Sequence, residues 1–387
     1  MRSTTPLAAL VLLGAAAAAQ RPPALENASA LRRPRLADTA DTNSWEAYFD
    51  YGVAQLRTNG RTAEAAFSWA MRLDPSRAEP LFGRWVAYWM RNPGWFQDYI
   101  DGRTSVVESP EVRQVDSLYW RAQLRNPFVP QNLTLVLYDQ LEGDFSTDPY
   151  TSSWIAYAGG RYDAAARGFS KLIRSDPAKH YQARFQLALC YTAMRQFDSA
   201  AGEITALLSE MRRREESRLA HFYQSRELLE YSLGLLEAAR GNGPGAREAL
   251  GRALVENLGF YPAHAEMAEL ALASGDTTKA VTEYGQAAQF GPEDGVMRFR
   301  YAVVLMSTGR LEEAEAELHR AIDLEPLYAP PYFALGALLE VRGPRTKALE
   351  AYLSYLDRAP RGASLADRAR QRAVALSSGA GDSARRP

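Results

Sequence analysis

Between Tyr301 and Pro326 the chain reads YAVVLMSTGRLEEAEAELHRAIDLEP, with apolar side chains three and four residues apart before Gly309 and again after it. That spacing predicts one amphipathic helix, a turn at the glycine, a second helix and a stop at the proline. The pattern recurs. Gly241, Gly275, Gly309 and Gly343 stand 34 residues apart, as do Ala246, Ala280, Ala314 and Ala348, and Pro292, Pro326 and Pro360. Each ladder has a physical reading. Glycine adopts the positive φ that ends a helix, proline lacks the N–H needed to continue one, and a methyl side chain lets two helices cross closely. Hairpins repeated at this period cannot bury their apolar faces alone, so they must stack.

Residues 329–362 place Tyr332, Leu335, Gly336, Leu339, Ala348, Tyr352 and Pro360 in an order that resembles the tetratricopeptide repeat family. Similar units precede it, with Tyr301, Ala302, Leu305, Ala314, Leu318 and Pro326, then Met267, Ala268, Ala271, Ala280, Tyr284 and Pro292, and a weaker one with Leu233, Gly234, Ala246, Leu250 and Ala253. Two more start near Tyr181 (Leu187, Ala188, Tyr191, Ala200, Ile204) and near residue 146 (Gly160, Tyr162, Ala165, Phe169, Pro177). The resemblance implies an all-α fold: an α-solenoid of helical hairpins wound into a right-handed superhelix, with two repeats over 146–214 and four in register over 227–362. Residues 215–226 contain no Gly or Pro and are expected to lengthen the adjoining helices. Leu365, Ala369, Ala373 and Leu376 predict a capping helix over 363–377, followed by a disordered tail at 378–387.

Upstream the regularity fails. Residues 44–145 read as atypical hairpins with an insertion: Trp45 to Pro75 is one hairpin, and helices are expected near 78–91, 110–125 and 131–141, interrupted at Asn92-Pro93-Gly94 and Asn126-Pro127. This stretch is rich in aromatics, among them Trp85, Trp89, Trp95 and Trp120. Rings at helical spacing are more often core than pocket, so a capping core is the first reading and a ligand pocket on those four tryptophans the second. At the start of the chain Arg2 precedes an apolar run from Leu7 to Ala19. As a helix it spans roughly 20 Å, short of a ~30 Å hydrocarbon core. With Ala17 and Ala19 suited to a signal peptidase, 1–19 reads as a signal peptide cleaved near Ala19 and 20–43 as a flexible leader. The expected setting is periplasmic or extracellular, with no transmembrane anchor.

Composition acts mainly by exclusion. Forty-five Lys and Arg against 46 Asp and Glu leave a net charge of -1, which argues against a general nucleic-acid surface, while 47% hydrophobic residues supply a core. The single cysteine, Cys190, excludes an internal disulfide or a thiolate metal cluster. His180, His221, His264 and His319 are scattered without metal-ligand spacing, and no phosphate-cradling glycine loop or nucleophile elbow is present. The densest carboxylates, Asp139, Glu142, Asp144 and Asp148, read as turn chemistry. No catalytic residue, metal or cofactor is assigned.

Stacked hairpins create a concave face lined by the first helix of each. The fifth residues of successive units are Phe185, Tyr231, Ala265, Phe299 and Phe333, and the ninth are Leu189, Leu235, Glu269, Val303 and Ala337. The resemblance implies that other proteins or peptides bind there. The Lys, Arg and Asn with which the family clamps a C-terminal carboxylate are absent from these positions. An open row of rings is unfavourable by about 25 cal/mol per Å² of apolar area, so something must cover it. The cover is either a partner, expected to be a hydrophobic or amphipathic helix, or the chain itself, through 76–145 or superhelical closure. The expected function is a non-enzymatic adaptor of the bacterial cell envelope. A cell-wall or glycan-directed enzyme, or a periplasmic ligand binder, using the aromatic 76–145 segment is the alternative.

Overall fold

The computed structural model describes residues 22–138, 148–218 and 224–383. Helices α1 (Trp45–Gln55) and α2 (Gly60–Leu73) form a hairpin, followed by α3 (Glu79–Arg91), α4 (Pro93–Ile100), α5 (Thr104–Val107) and α6 (Pro110–Arg125). Helix α7 (Thr134–Tyr138) leads to the pair α8 (Pro149–Ala158) and α9 (Tyr162–Ser175), then to one turn, α10 (Pro177–His180). Five further hairpins follow: α11 (Ala183–Ala193) with α12 (Phe197–Arg213), α13 (Arg226–Ala239) with α14 (Gly243–Glu256), α15 (Tyr261–Ala273) with α16 (Thr277–Phe290), α17 (Gly295–Ser307) with α18 (Leu311–Leu324), and α19 (Pro330–Arg342) with α20 (Arg345–Arg358). Helix α21 (Ala366–Ser383) closes the series. From α11 to α21 each helix packs on the next, which makes the architecture an α-solenoid.

The ladders act as their chemistry predicts, with two departures. Ala165, Ala200, Ala246, Ala280, Ala314 and Ala348 are all fully buried where paired helices cross. Gly241, Gly275 and Gly309 end the first helices at φ 78°, 80° and 75°. In the α11–α12 turn that place is taken by Arg195, at φ 58°. Gly343 departs in the other direction, with φ -108° and ψ 179°, because Pro344 follows and the residue before a proline is pushed toward extended backbone. One hairpin contact also repeats: Arg184 to Glu203 at 2.5 Å, His264 to Glu283 at 2.8 Å and Arg298 to Glu317 at 2.9 Å occupy equivalent positions in their units.

Several expected boundaries move. Asn92-Pro93-Gly94 starts a helix, α4, with Pro93 in its first turn, where a missing N–H is harmless. The helix expected at 131–141 is described only over Thr134–Tyr138. The 215–226 extension does not lengthen the adjoining helices: α12 ends at Arg213 and α13 begins at Arg226. Glu215 then turns the chain at φ 59°, and Arg218 and Ser225 pair across an antiparallel bridge. Helix α21 runs to Ser383, through part of the stretch expected to be disordered, since burial of Ala369, Ala373 and Leu376 nucleates a helix that the later glycines weaken without stopping.

The largest correction concerns the leader. Residues 22–43 are packed, not free. Leu31 and Leu36 are buried, the Tyr88 hydroxyl donates to Pro23 O at 2.6 Å, Trp69 Nε1 donates to Leu31 O at 3.1 Å, and Arg33 Nε donates to the Tyr48 hydroxyl at 2.7 Å. Side chains of α2 and α3 thus satisfy backbone carbonyls of a stretch that carries no periodic signal of its own, and α1 holds its Arg33 side chain. The residues expected to form a signal peptide lie outside the described residues.

A left-handed conformation costs a non-glycine residue about 1–2 kcal/mol. Urea unfolding is therefore expected to show Arg195→Gly stabilising the chain, by about 1 kcal/mol at most, and Gly309→Ala destabilising it by a similar amount.

Candidate functional site

The inner face is largely covered by the chain itself. Phe185, Leu189, Tyr231 and Ala265 are buried, and Leu235 and Ala337 half-buried. Phe299 and Phe333 are also half-buried: Phe299 meets Tyr328 edge-on at 5.8 Å, and Phe333 lies 5.5 Å from Tyr352 and 5.4 Å from Tyr355. Only Glu269 and Val303 of the ninth-position row are exposed, Val303 by 43%.

Much of the cover is α6. Trp120 and Leu124, one helical turn apart, pack against a cluster of Leu228, Tyr231, Phe260 and Ala263 from α13, the α14–α15 turn and α15. Next to them Arg125 donates to Asp294 at 2.7 Å; the Asp294 side chain is buried and that of Arg125 nearly so. Asp294 caps α17, accepting from the backbone N–H groups of Val296 and Met297 at 3.1 Å each. A cavity of about 50 Å³ remains beside this pair, lined in part by Tyr231, Tyr261, Glu266 and Arg300. It has room for about three waters and is far below the ~300 Å³ of a typical small-molecule site.

A second seam joins the two ends of the described chain. Asn43 Nδ2 donates to Asp357 O at 2.7 Å, the Arg361 backbone N–H donates to Asp41 at 2.5 Å, and Arg361 Nη1 donates to Thr39 O at 3.2 Å. Leu327, in the α18–α19 turn, packs against Leu36, Tyr48, Ala70 and Leu73. The solenoid is therefore closed by its own N-terminal hairpins.

The four tryptophans do not share a pocket. Trp85 and Trp89 are buried in the core between α3 and α6: Trp85 stacks on Phe82 at 5.9 Å and donates Nε1 to Asp116 at 3.2 Å, while Trp89 packs 4.8 Å from Tyr99 and 5.6 Å from Phe96. Trp95 sits half-buried at its margin, and Trp120 points away into the groove. The rings fill one another, so the aromatic stretch is core.

Chemistry has little to work with elsewhere. Burial pushes the Cys190 thiol up to about 12, which keeps it protonated and poorly nucleophilic. Asp148 caps α8 by accepting from Thr151 N–H at 2.7 Å, while Asp139, Glu142 and Asp144 lie outside the described residues. Among the described residues no cluster of His, Cys, Asp and Glu could hold a metal ion, and no helix is long and apolar enough to cross a membrane.

Arg125 and Asp294 carried no signal in the sequence, because 169 residues separate them and neither belongs to a motif. The same holds for Glu325. Burial pushes its carboxyl up to about 7 despite Arg121, Arg125 and Arg72 nearby, with Asp294 adding to the rise. The folded chain therefore holds this proton more tightly than the unfolded one. Its contribution is full below about pH 4.5 and is lost as pH rises through about 7. Denaturant titrations at pH 5, 6, 7 and 8 are expected to show stability falling over that window, and Glu325→Gln to flatten the fall. Arg125→Ala, which strands the Asp294 carboxylate in a buried site, is expected to cost about 3 kcal/mol in the same assay.

Among known proteins, a family model described as tetratricopeptide repeat matches residues 271–339, and a second of the same description matches 150–223 and 231–295. No curated protein sequence matches the chain. Among solved structures it is similar to YrrB, described as a TPR protein with an unusual peptide-binding site, at 16% identity over 53% of this chain and 99% of that one, TM-score 0.41. It is also similar to the C-terminal part of a TPR repeat-containing protein from Cytophaga hutchinsonii, at 14% identity over 59% and 95%, TM-score 0.45. The Cut9–Hcn1 hetero-tetramer of APC/C matches at 14% identity over 86% of this chain and 56% of that one, TM-score 0.44. Residues 150–223 and 231–339 of the chain are therefore tetratricopeptide repeats.

Proposed function

We propose that this protein is a non-enzymatic interaction scaffold, exported to the bacterial cell envelope, that holds a segment of a partner protein along the open strip of its inner face. Tetratricopeptide repeats bind other proteins or peptides, which supports the scaffold role. One observation carries the choice of strip: Val303 and Glu269 stay exposed at equivalent positions of neighbouring first helices, while the positions beside them are covered. An exposed valine on a concave face gains from burial by a partner, and Glu269, which accepts from the Tyr284 hydroxyl, offers a carboxylate to a basic group. The partner segment is therefore apolar with a basic residue. Export rests on the apolar run from Leu7 to Ala19.

Affinity capture from membrane-solubilised cells tests the strip. Val303→Glu combined with Glu269→Arg is expected to lower recovery of the partner at least tenfold, a loss of about 1.4 kcal/mol. Recovery of the same partners at the same level by both chains would remove the strip from the reading. Export is tested by the mature N-terminus, expected at Gln20 in the envelope fraction; an intact Met1 chain confined to the cytosol would overturn it.

A further inference from the structure

The part of the inner face closed by α6 differs from the open strip. Helix α6 has two working faces. Val112, Val115, Leu118, Tyr119 and Ala122 belong to the core that it shares with α3, and Trp120, Leu124 and Arg125 project into the groove between α13, α15 and α17. Its backbone lies against α3, whereas it reaches the groove chiefly through side chains. The groove side matches these three residues in kind. It has an apolar floor of Leu228, Tyr231, Phe260 and Ala263, and at its edge the Asp294 carboxylate is held in place by two backbone N–H groups. Glu266, with Arg300, and Glu325, with Arg121 and Arg72, lie around the guanidinium end of α6. Such a contact between units of one chain, part apolar and part ionic, is of the type that opens and closes more readily than a core does.

We infer that this groove is a helix-docking site, occupied here by the chain's own α6, whose ligand is an amphipathic helix presenting an aromatic ring, a leucine four residues on and an arginine beside it. The inference rests on the scaffold reading but concerns a different stretch of the inner face. The internal helix acts as a competitor present at high effective concentration, so an external helix binds weakly until α6 is loosened. Specificity comes from the arginine. A helix with the same apolar pair and no arginine leaves Asp294 buried without its ion-pair partner.

The probe is a labelled synthetic peptide of residues 110–126, titrated against the full-length chain by fluorescence anisotropy. Binding is expected to be at least tenfold tighter to a chain carrying Trp120→Ala, Leu124→Ala and Arg125→Ala than to the native chain. Adding Asp294→Asn, which keeps a good helix cap while removing the charge, is expected to weaken peptide binding about tenfold. A peptide carrying Arg125→Gln is expected to lose about tenfold on the Asp294 chain and little more on the Asn chain, giving a coupled cycle. Equal affinity for native and loosened chains overturns the inference, and so does a cycle without coupling. If the triple variant lacks a cooperative melting transition, Leu124→Ala alone serves as the loosened chain, with the same outcomes deciding. Val303→Glu leaves this titration unchanged, so failure of the open strip and failure of the groove are read separately.

Discussion

A stack of two-helix units buries the faces between neighbours and leaves one inner surface over, and what covers that surface decides the rest of this molecule. Here the cover is intramolecular. Trp120 and Leu124 fill the apolar floor, and Arg125 joins Asp294 where both are withdrawn from water. The net contribution of a buried ion pair to stability is small, because desolvation offsets attraction. What it enforces is register. A shifted docking of α6 would bury a guanidinium and a carboxylate apart from one another, so one placement is favoured over its neighbours.

Closure then partitions the inner face. The N-terminal halves of α13, α15 and α17 are taken up by α6 and by contacts around Asp294, while Glu269 and Val303 remain open nearer the other ends of α15 and α17. The second seam, where Asp41 and Asn43 meet the backbone of 357–361, ties the ends of the array together. A spring whose ends are joined has less freedom to change its pitch, so the recognition proposed for the open strip would be closer to rigid docking than to the winding of a flexible superhelix. The titration of Glu325 at the seam adds a charge to this closure within the neutral range.

The repeat array was legible because its grammar is local. A 34-residue ladder of Gly, Ala and Pro reports turn, crossing and stop without knowledge of anything distant, and the same logic explains where it failed. Gly343 is extended because of its immediate neighbour Pro344, and Arg195 occupies a glycine's place because the turn geometry is imposed by the helices on both sides. The concave face was only half legible. Its fifth and ninth positions follow from the period, which leaves cover by a partner and cover by 76–145 equally open; that Trp120 and Leu124, more than 100 residues from Tyr231, supply the cover is not written in the spacing. The leader was misread for a related reason. Pro23 and Leu31 are held through their backbone carbonyls by Tyr88 and Trp69, and such a contact leaves no mark on the spacing of apolar residues.

The hairpins, their phase and their stacking are written in local pattern, since each depends on residues within one or two turns of each other and on the contrast of apolar and polar side chains along a helix. How far the stack curls, which unit enters the hollow, and that Arg125 meets Asp294 there are settled in three dimensions alone. Curvature is the sum of small rotations between neighbouring hairpins, and no single residue encodes it. The contacts it brings about join positions that are independent along the chain and become partners only once the whole array has closed.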